Sequence, residues 1–305
     1  MSKKNKRLIS YLLAVSLVVL VAFLYIHNGG ATPREDNVKE IDLAVSEISA
    51  LKQNEIEGTL VYINSNSLFH LNLATSENKK IVNDVGGTTS PSSENGTFFS
   101  LDKQEVYLVN RIGETQETTF DISDGVVPLL SPSGEEAALI TFSNAERDFG
   151  YKLALTSASG QHIGSIANTS SKITSVSWKD NENLIYCLEK ENGSEIWEAN
   201  KNGTASKIIK KESGYVRELV ATGNIIAYTV SKNAGDNTEK GIKMIKENEH
   251  YNLSQTPADI KNLRISNDGN YLVFLSNRQP IIYSLLLDQL INTNVNASAV
   301  IGIIK

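Results

Sequence analysis

Residues 266–295 read SNDGNYLVFLSNRQPIIYSLLLDQLINTNV. The stretch opens on a polar turn, Ser266-Asn267-Asp268-Gly269, and continues as three short apolar runs, YLVFLSN, IIYSLLL and LINTNV. Runs of aliphatic, β-branched and aromatic residues of this length, bounded by Gly, Asn and Ser, have the grammar of strands and turns. Gly and Asn at a turn tip accept the positive φ that a tight strand connection demands.

The block recurs along the chain. Its turn is found as Ser90-Pro91-Ser92-Ser93, Ser131-Pro132-Ser133-Gly134 and Ser177-Trp178-Lys179-Asp180, with a degenerate copy at Ala221-Thr222-Gly223-Asn224. First residues are spaced 41, 46, 44 and 45 apart. After Gly96 come TFFSLDK, EVYLVNR and QETTF; after Gly134 come EAALITFS, YKLALTS and HIGSIA; after Asn183 come LIYCLEK, EIWEANK and SKIIK. A further strand stands before each turn, as in VVPLL and ITSVSW, so each unit holds four strands. Four strands in 41 to 46 residues is the size of a propeller blade. Two stacked sheets also use many short strands, but their turns fall every 8–12 residues or so without a larger period.

The ends of the repeat region set the blade count. TLVYINS, SLFHLNL and KKIVNDV supply three strands at the start, and SAVIGIIK supplies one at the end. If the last strand joins the first three, a ring of six closes and leaves only short, protected edges. The sequence therefore predicts an all-β fold over residues 58–305, a six-bladed β-propeller of four-stranded blades closed by the C-terminal strand.

With these turns and runs, the chain resembles the TolB-type, WD-like propeller repeats, related to the propellers of dipeptidyl peptidases. Their hallmark is a Ser-Pro-Asp-Gly turn followed by an aliphatic-aromatic strand. The positions that carry the likeness are Ser90, Pro91, Ser131, Pro132, Gly134, Ser177, Trp178, Ser266, Asp268 and Gly269. Ser stands in the Asp place at 133, the glycine is displaced to 96, and proline is absent at 178 and 267. The resemblance implies protein–protein contact near a membrane.

Ahead of the repeats lies a different grammar. Lys3, Lys4, Lys6 and Arg7 precede Leu8 to Ile26, a run of 19 residues free of charge, proline and glycine. As a helix it reaches about 28 Å, close to the roughly 30 Å hydrocarbon core of a bilayer. The four cations place residues 1–7 in the cytoplasm and everything beyond residue 27 outside, as a single-pass protein of the cell membrane. A cleaved secretory signal is the competing reading, with Gly29-Gly30-Ala31 as its cleavage site, though signal apolar regions usually run about 7–15 residues. Residues 27–57 are a tether and a short amphipathic helix, in which Ile41, Ala44, Val45, Ile48 and Leu51 form one apolar face.

Beyond residue 27 the chain carries 25 basic and 35 acidic side chains, a balance of −10 that disfavours a nucleic-acid partner. Cys187 is the sole cysteine, which excludes an intrachain disulfide and cysteine-based metal sites. An extracytoplasmic domain without disulfides points to a bacterial surface.

Chemistry is sparse in the sequence. His27, His70, His162 and His250 lack the helical i, i+4 spacing of a metal motif, and a Gly-x-Ser-x-Gly elbow is absent. Phosphate-cradling glycine loops are absent too, and NAGDNTEKG at 233–241 lacks the alternating acids of a calcium loop. No catalytic residue, cofactor or metal site is expected. The expected function is a non-catalytic module that binds a protein or glycan partner in the cell envelope. The alternative is a propeller enzyme, a hydrolase or lyase, acting on polysaccharide or peptide at the channel mouth. That reading requires two or three carboxylates and a histidine to converge there, within the roughly 5–10 Å separations of glycosidic chemistry.

Overall fold

The computed structural model describes residues 38–41, 56–91, 93, 96–101, 105–110, 112–118, 128–143, 150–157, 160–234, 241–253, 257 and 259–304. The apolar run Leu8–Ile26 and the amphipathic stripe beyond Ile41 lie outside the described residues. Among the described residues no helix is long and apolar enough to cross a membrane. Val38–Ile41, where the amphipathic helix was expected to begin, is a strand, β1.

The remaining strands fall into six blades. In chain order they are β2 (Thr59–Asn64), β3 (Ser67–Asn72) and β4 (Asn78–Val82); β5 (Val85–Thr89), β6 (Thr97–Leu101), β7 (Glu105–Val109) and β8 (Thr115–Glu117); and β9 (Leu129–Leu130), β10 (Glu136–Ser143), β11 (Gly150–Ser157) and β12 (His162–Thr169). Then come β13 (Ile173–Trp178), β14 (Asn183–Lys190), β15 (Gly193–Asn200) and β16 (Ser206–Glu212); β17 (Tyr215–Thr222), β18 (Ile225–Ser231), β19 (Ile242–Lys246) and β20 (Glu249–Leu253); and β21 (Lys261–Ile265), β22 (Tyr271–Ser276), β23 (Gln279–Ser284) and β24 (Gln289–Asn292). The last strand, β25 (Ala299–Ile304), pairs with β2 and completes the first blade in the order β25-β2-β3-β4. The ring closes as the sequence predicts, with Thr59 opposite Ile304 and Ile63 opposite Ala299. β1 adds a fifth strand to the outer edge of β20, which removes one exposed edge.

The core lies between blades. In β14, Leu184, Tyr186 and Leu188 pack with Leu153 and Leu155 of the preceding blade, whereas Ile185 and Cys187 pack with Val216, Leu219 and Tyr228 of the next. Side chains alternate across a strand, so a strand covered on both faces reads as a continuous apolar run. Hence LIYCLEK shows no polar alternation. Each fully buried Leu or Phe contributes roughly 1.5–3 kcal/mol, against about 1 kcal/mol for an ordinary hydrogen bond. Apolar contact across the seams therefore holds the ring. Stacked cross-strand aromatics recur at one position in three blades, as Tyr62 on Phe69, Phe99 on Tyr107 and Tyr186 on Trp197.

Glycine is required where backbones meet. At Gly193 (φ 134°) a Cβ would lie 2.1 Å from the Glu212 carbonyl oxygen, and at Gly96 (φ 145°) 2.1 Å from that of Val109. Gly96 thus marks a close approach of strands and has a different task from Gly134 and Gly269, which occupy turn tips at φ 73° and 71°.

Candidate functional site

The turn serines explain themselves in the structure. Ser131 and Ser266 are buried, and each accepts through Oγ the backbone N–H of the first residue of the next strand or its immediate start, Glu136 at 3.2 Å and Tyr271 at 3.0 Å. Their backbones close the same turn, with Gly134 N–H donating to the Ser131 carbonyl and Gly269 N–H to that of Ser266, both at 2.9 Å. Ser266 also donates to Asp268 Oδ1 at 2.6 Å. Ser90 does the same for Phe98 N–H at 3.0 Å across a longer turn. In the fourth blade Lys179 takes this position, its N–H donating to the Asn183 carbonyl, and Asp180 Oδ1 accepts the N–H groups of Glu182 and Asn183 at 2.8 Å each. Ser177 and Trp178 accordingly end β13, two residues earlier in the repeat than the serines with which sequence aligned them.

Antiparallel strands alternate in direction, so the connections from first to second strand and from third to fourth share one face of the ring. On that face a cavity of about 270 Å³ opens along the axis. Its rim includes Pro91 and Pro132, and its wall comes from β9, β13, β17 and β21, the innermost strands of four blades. Of the residues singled out in the sequence, the structure gathers Pro91, Pro132, Ser177 and Trp178 around this cavity. Ser90, Ser131, Gly134, Ser266, Asp268 and Gly269 lie in the turns without lining it, and Leu8 and Ile26 are outside the described residues.

An innermost strand presents an edge to the axis, and its outward N–H groups need acceptors. Side chains from the preceding blade supply them. Ser175 Oγ accepts Leu219 N–H at 3.1 Å and Ser177 Oγ accepts Ala221 N–H at 2.8 Å, both 44 residues apart. Glu218 accepts the N–H of Asn262 at 2.8 Å and that of Leu263, and Thr222 Oγ1 donates to the Asn267 carbonyl at 3.0 Å. Trp178 Nε1 donates to the Leu129 carbonyl of the blade before at 3.0 Å. These bonds stitch one repeat to the next.

Two charged residues of the wall escaped the sequence reading, Glu218 and Arg264. Their signal was a charge set directly against apolar residues of an innermost strand, as in RELV and KNLRI, where Arg217 and Lys261 are charged too. Arg264 donates from Nη1 to the Leu263 carbonyl at 2.7 Å, while its buried Nε has no hydrogen-bond partner in the protein. Burial lowers the pKa of its guanidinium, and the neighbouring Glu218 charge opposes that shift.

The described histidines stand apart from the cavity, and His27 lies outside the described residues. His70 lies in β3, His162 in β12 and His250 in β20. His70 is buried with its Nε2 unpartnered, and burial together with Lys79 pushes its pKa down to about 4. Cys187 is buried between blades, where desolvation pushes its thiol up to about 11. That disfavours the reactive thiolate. Among the described residues no group of three His, Cys, Asp or Glu side chains could hold a metal ion.

Six closed blades, stitched around the axial cavity, define a β-propeller, and solved structures share its fold. The fold is that of the TolB propellers. The chain is similar to TolB from Acinetobacter baumannii, with 16% identity and a TM-score of 0.57 over 80% of this chain and 66% of that one. It thus spans just under two thirds of that protein. A putative TolB from Agrobacterium tumefaciens matches at 10% identity and a TM-score of 0.55, covering 77% of this chain and 88% of that one. An oligogalacturonate lyase from Vibrio parahaemolyticus matches at 12% identity and a TM-score of 0.50, covering 77% and 78%. At such identities the likeness concerns the fold, which serves unrelated functions. No protein-family model and no curated relative matches the sequence.

Proposed function

We propose that this protein is a membrane-anchored, extracytoplasmic propeller that serves as a non-catalytic binding module in the bacterial cell envelope. Its axial cavity receives a segment of a protein or glycan partner. The observation that carries this reading is the commitment of most of the cavity's polar groups, Arg264 excepted, to the framework. Ser175, Ser177, Glu218 and Trp178 all bond to backbone groups of a neighbouring blade. Groups so engaged position the strands and leave the wall as a shaped surface of mixed apolar and polar character. Among the described residues that line the cavity Glu218 is the one carboxylate, and no histidine joins it. Acid–base hydrolysis or elimination at the mouth would call for a second titratable partner.

The test uses the full-length protein solubilised from membranes in a non-ionic detergent, compared with Pro132→Trp, which places bulk at the rim. A stoichiometric envelope component retained by the first and lost by the second supports the binding module. Turnover of a cell-wall fragment or peptide by the wild-type protein overturns it in favour of an enzyme. Intact mass tests the anchor separately, because a chain beginning at Thr32 would mean a cleaved signal.

A further inference from the structure

Resting on that reading of the cavity, we propose that it is a carboxylate site, in which Arg264 receives the C-terminal carboxylate of an extended peptide entering past Pro91 and Pro132. A guanidinium carries five N–H donors in a planar fork. Arg264 uses one of them on its own neighbour's carbonyl, and Nε is buried without a protein partner. Glu218 is close enough for its charge to act on the guanidinium, yet its two oxygens accept Asn262 N–H and Leu263 N–H. Arg264 is half-buried in the cavity wall, and a partly desolvated cation with an unfilled donor favours an anion beside it.

The shape of the cavity selects among anions. At about 270 Å³ it is just below the roughly 300–1,000 Å³ of pockets that take drug-sized ligands. The end of a chain fits; a folded domain does not. A carboxylate matches the guanidinium fork with two parallel hydrogen bonds. Glu218 adds a negative charge to the same wall, which favours a singly charged group over a dianion such as phosphate. Leu129, Trp178, Val220 and Ile265 offer the last side chain an apolar wall.

Calorimetry on the full-length protein in detergent decides the matter, with three probes: N-acetyl-Ala-Ala-Leu bearing a free carboxylate, the same peptide as its C-terminal amide, and sodium acetate. The acid is expected to bind at least about tenfold tighter than the amide, the scale of one charge-assisted pair. Arg264→Met should reduce acid binding to the amide level and leave the unfolding midpoint unchanged or higher, since among the described residues no carboxylate is hydrogen-bonded to the guanidinium. A lower midpoint in Arg264→Met would assign Arg264 a structural role and overturn the proposal. Equal binding of acid and amide, or binding of neither at millimolar concentration, also overturns it, whether or not the variant folds. Acetate binding as tightly as the peptide overturns the peptide assignment. Peptide binding that is indifferent to the carboxylate yet abolished by Pro132→Trp overturns the carboxylate site alone, whereas binding unaffected by Pro132→Trp removes the cavity mouth as the binding surface.

Discussion

The Ser177 hydroxyl accepts the backbone N–H of Ala221, 44 residues later, at 2.8 Å. One repeat thus caps the exposed edge of the next. Ser177→Ala leaves that N–H without its acceptor, at a cost of about 1–3 kcal/mol. For a domain of this size each kcal/mol corresponds to roughly 2–4 °C. A thermal midpoint lowered by several degrees is expected in calorimetry, and an unchanged one would show that the bond contributes nothing.

Such bonds also show why the repeat was legible while its finer register was not. A period near 44 is imposed by geometry, since each blade must carry four strands and return the chain to the axis. Ser131 and Ser266 are held at that period because their hydroxyls close the turn. In the fourth blade Asp180 performs the closure, which frees the serine three residues earlier to serve the neighbouring blade. Alignment by serine therefore sets Ser177 at the head of a turn, whereas the run ITSVSW already ends on it as a strand, and it is in β13 that the structure has it. Glu218 and Arg264 stayed illegible for a related reason. Each shares its innermost strand with a second charged residue, Arg217 or Lys261, and only the ring brings Glu218 and Arg264 to one wall. Closure was legible because three strands at one end and one at the other leave a blade incomplete by one member.

That closure has a mechanical consequence. β25 supplies the innermost strand of the first blade, and Val300, Ile301, Ile303 and Ile304 are all buried. Deleting Ala297 to Lys305 removes them and exposes the edge of β2 along the axis. At roughly 1.5–3 kcal/mol for each buried side chain, the loss matches the whole stability of a typical domain, about 5–15 kcal/mol. The truncated protein should fail to unfold cooperatively, as followed by circular dichroism. A sharp transition at the wild-type temperature would mean that the ring does not depend on its clasp.

His70 introduces a dependence on pH. Its folded pKa of about 4 lies below the ordinary value of 6.5, so between these limits the unfolded chain binds the additional proton. Stability therefore falls as pH drops from about 6.5 and levels off near 4. The loss is roughly 2–4 kcal/mol at about 1.4 kcal/mol per pH unit. His70→Leu replaces a buried, unpartnered imidazole with an apolar side chain of fitting size. Its urea midpoint should equal or exceed that of the wild type at pH 7.5, and its decline between pH 6.5 and 4.5 should be shallower. Parallel declines in the two proteins would place the titrating group elsewhere.

Glu218 distinguishes a framework carboxylate from a chemical one. It joins the fifth blade to the sixth by accepting two consecutive backbone N–H groups, those of Asn262 and Leu263, at the start of β21. Asn262 there adopts φ 54°, a left-handed conformation in which successive N–H groups can converge on one anion. Glu218→Gln keeps one acceptor but turns an amide NH₂ toward the second N–H, so a donor faces a donor. Hydrogen bonds to a charged acceptor contribute about 1.5–3 kcal/mol, and the substitution should lower the thermal midpoint by several degrees. Glu218→Asp retains the charge on a side chain one methylene shorter, which cannot span the seam in the same geometry, and should also be destabilised. A general acid or base would instead tolerate Gln in stability and lose activity. Wild-type midpoints in both variants would therefore remove Glu218 from the framework and reopen the channel mouth as a site of catalysis.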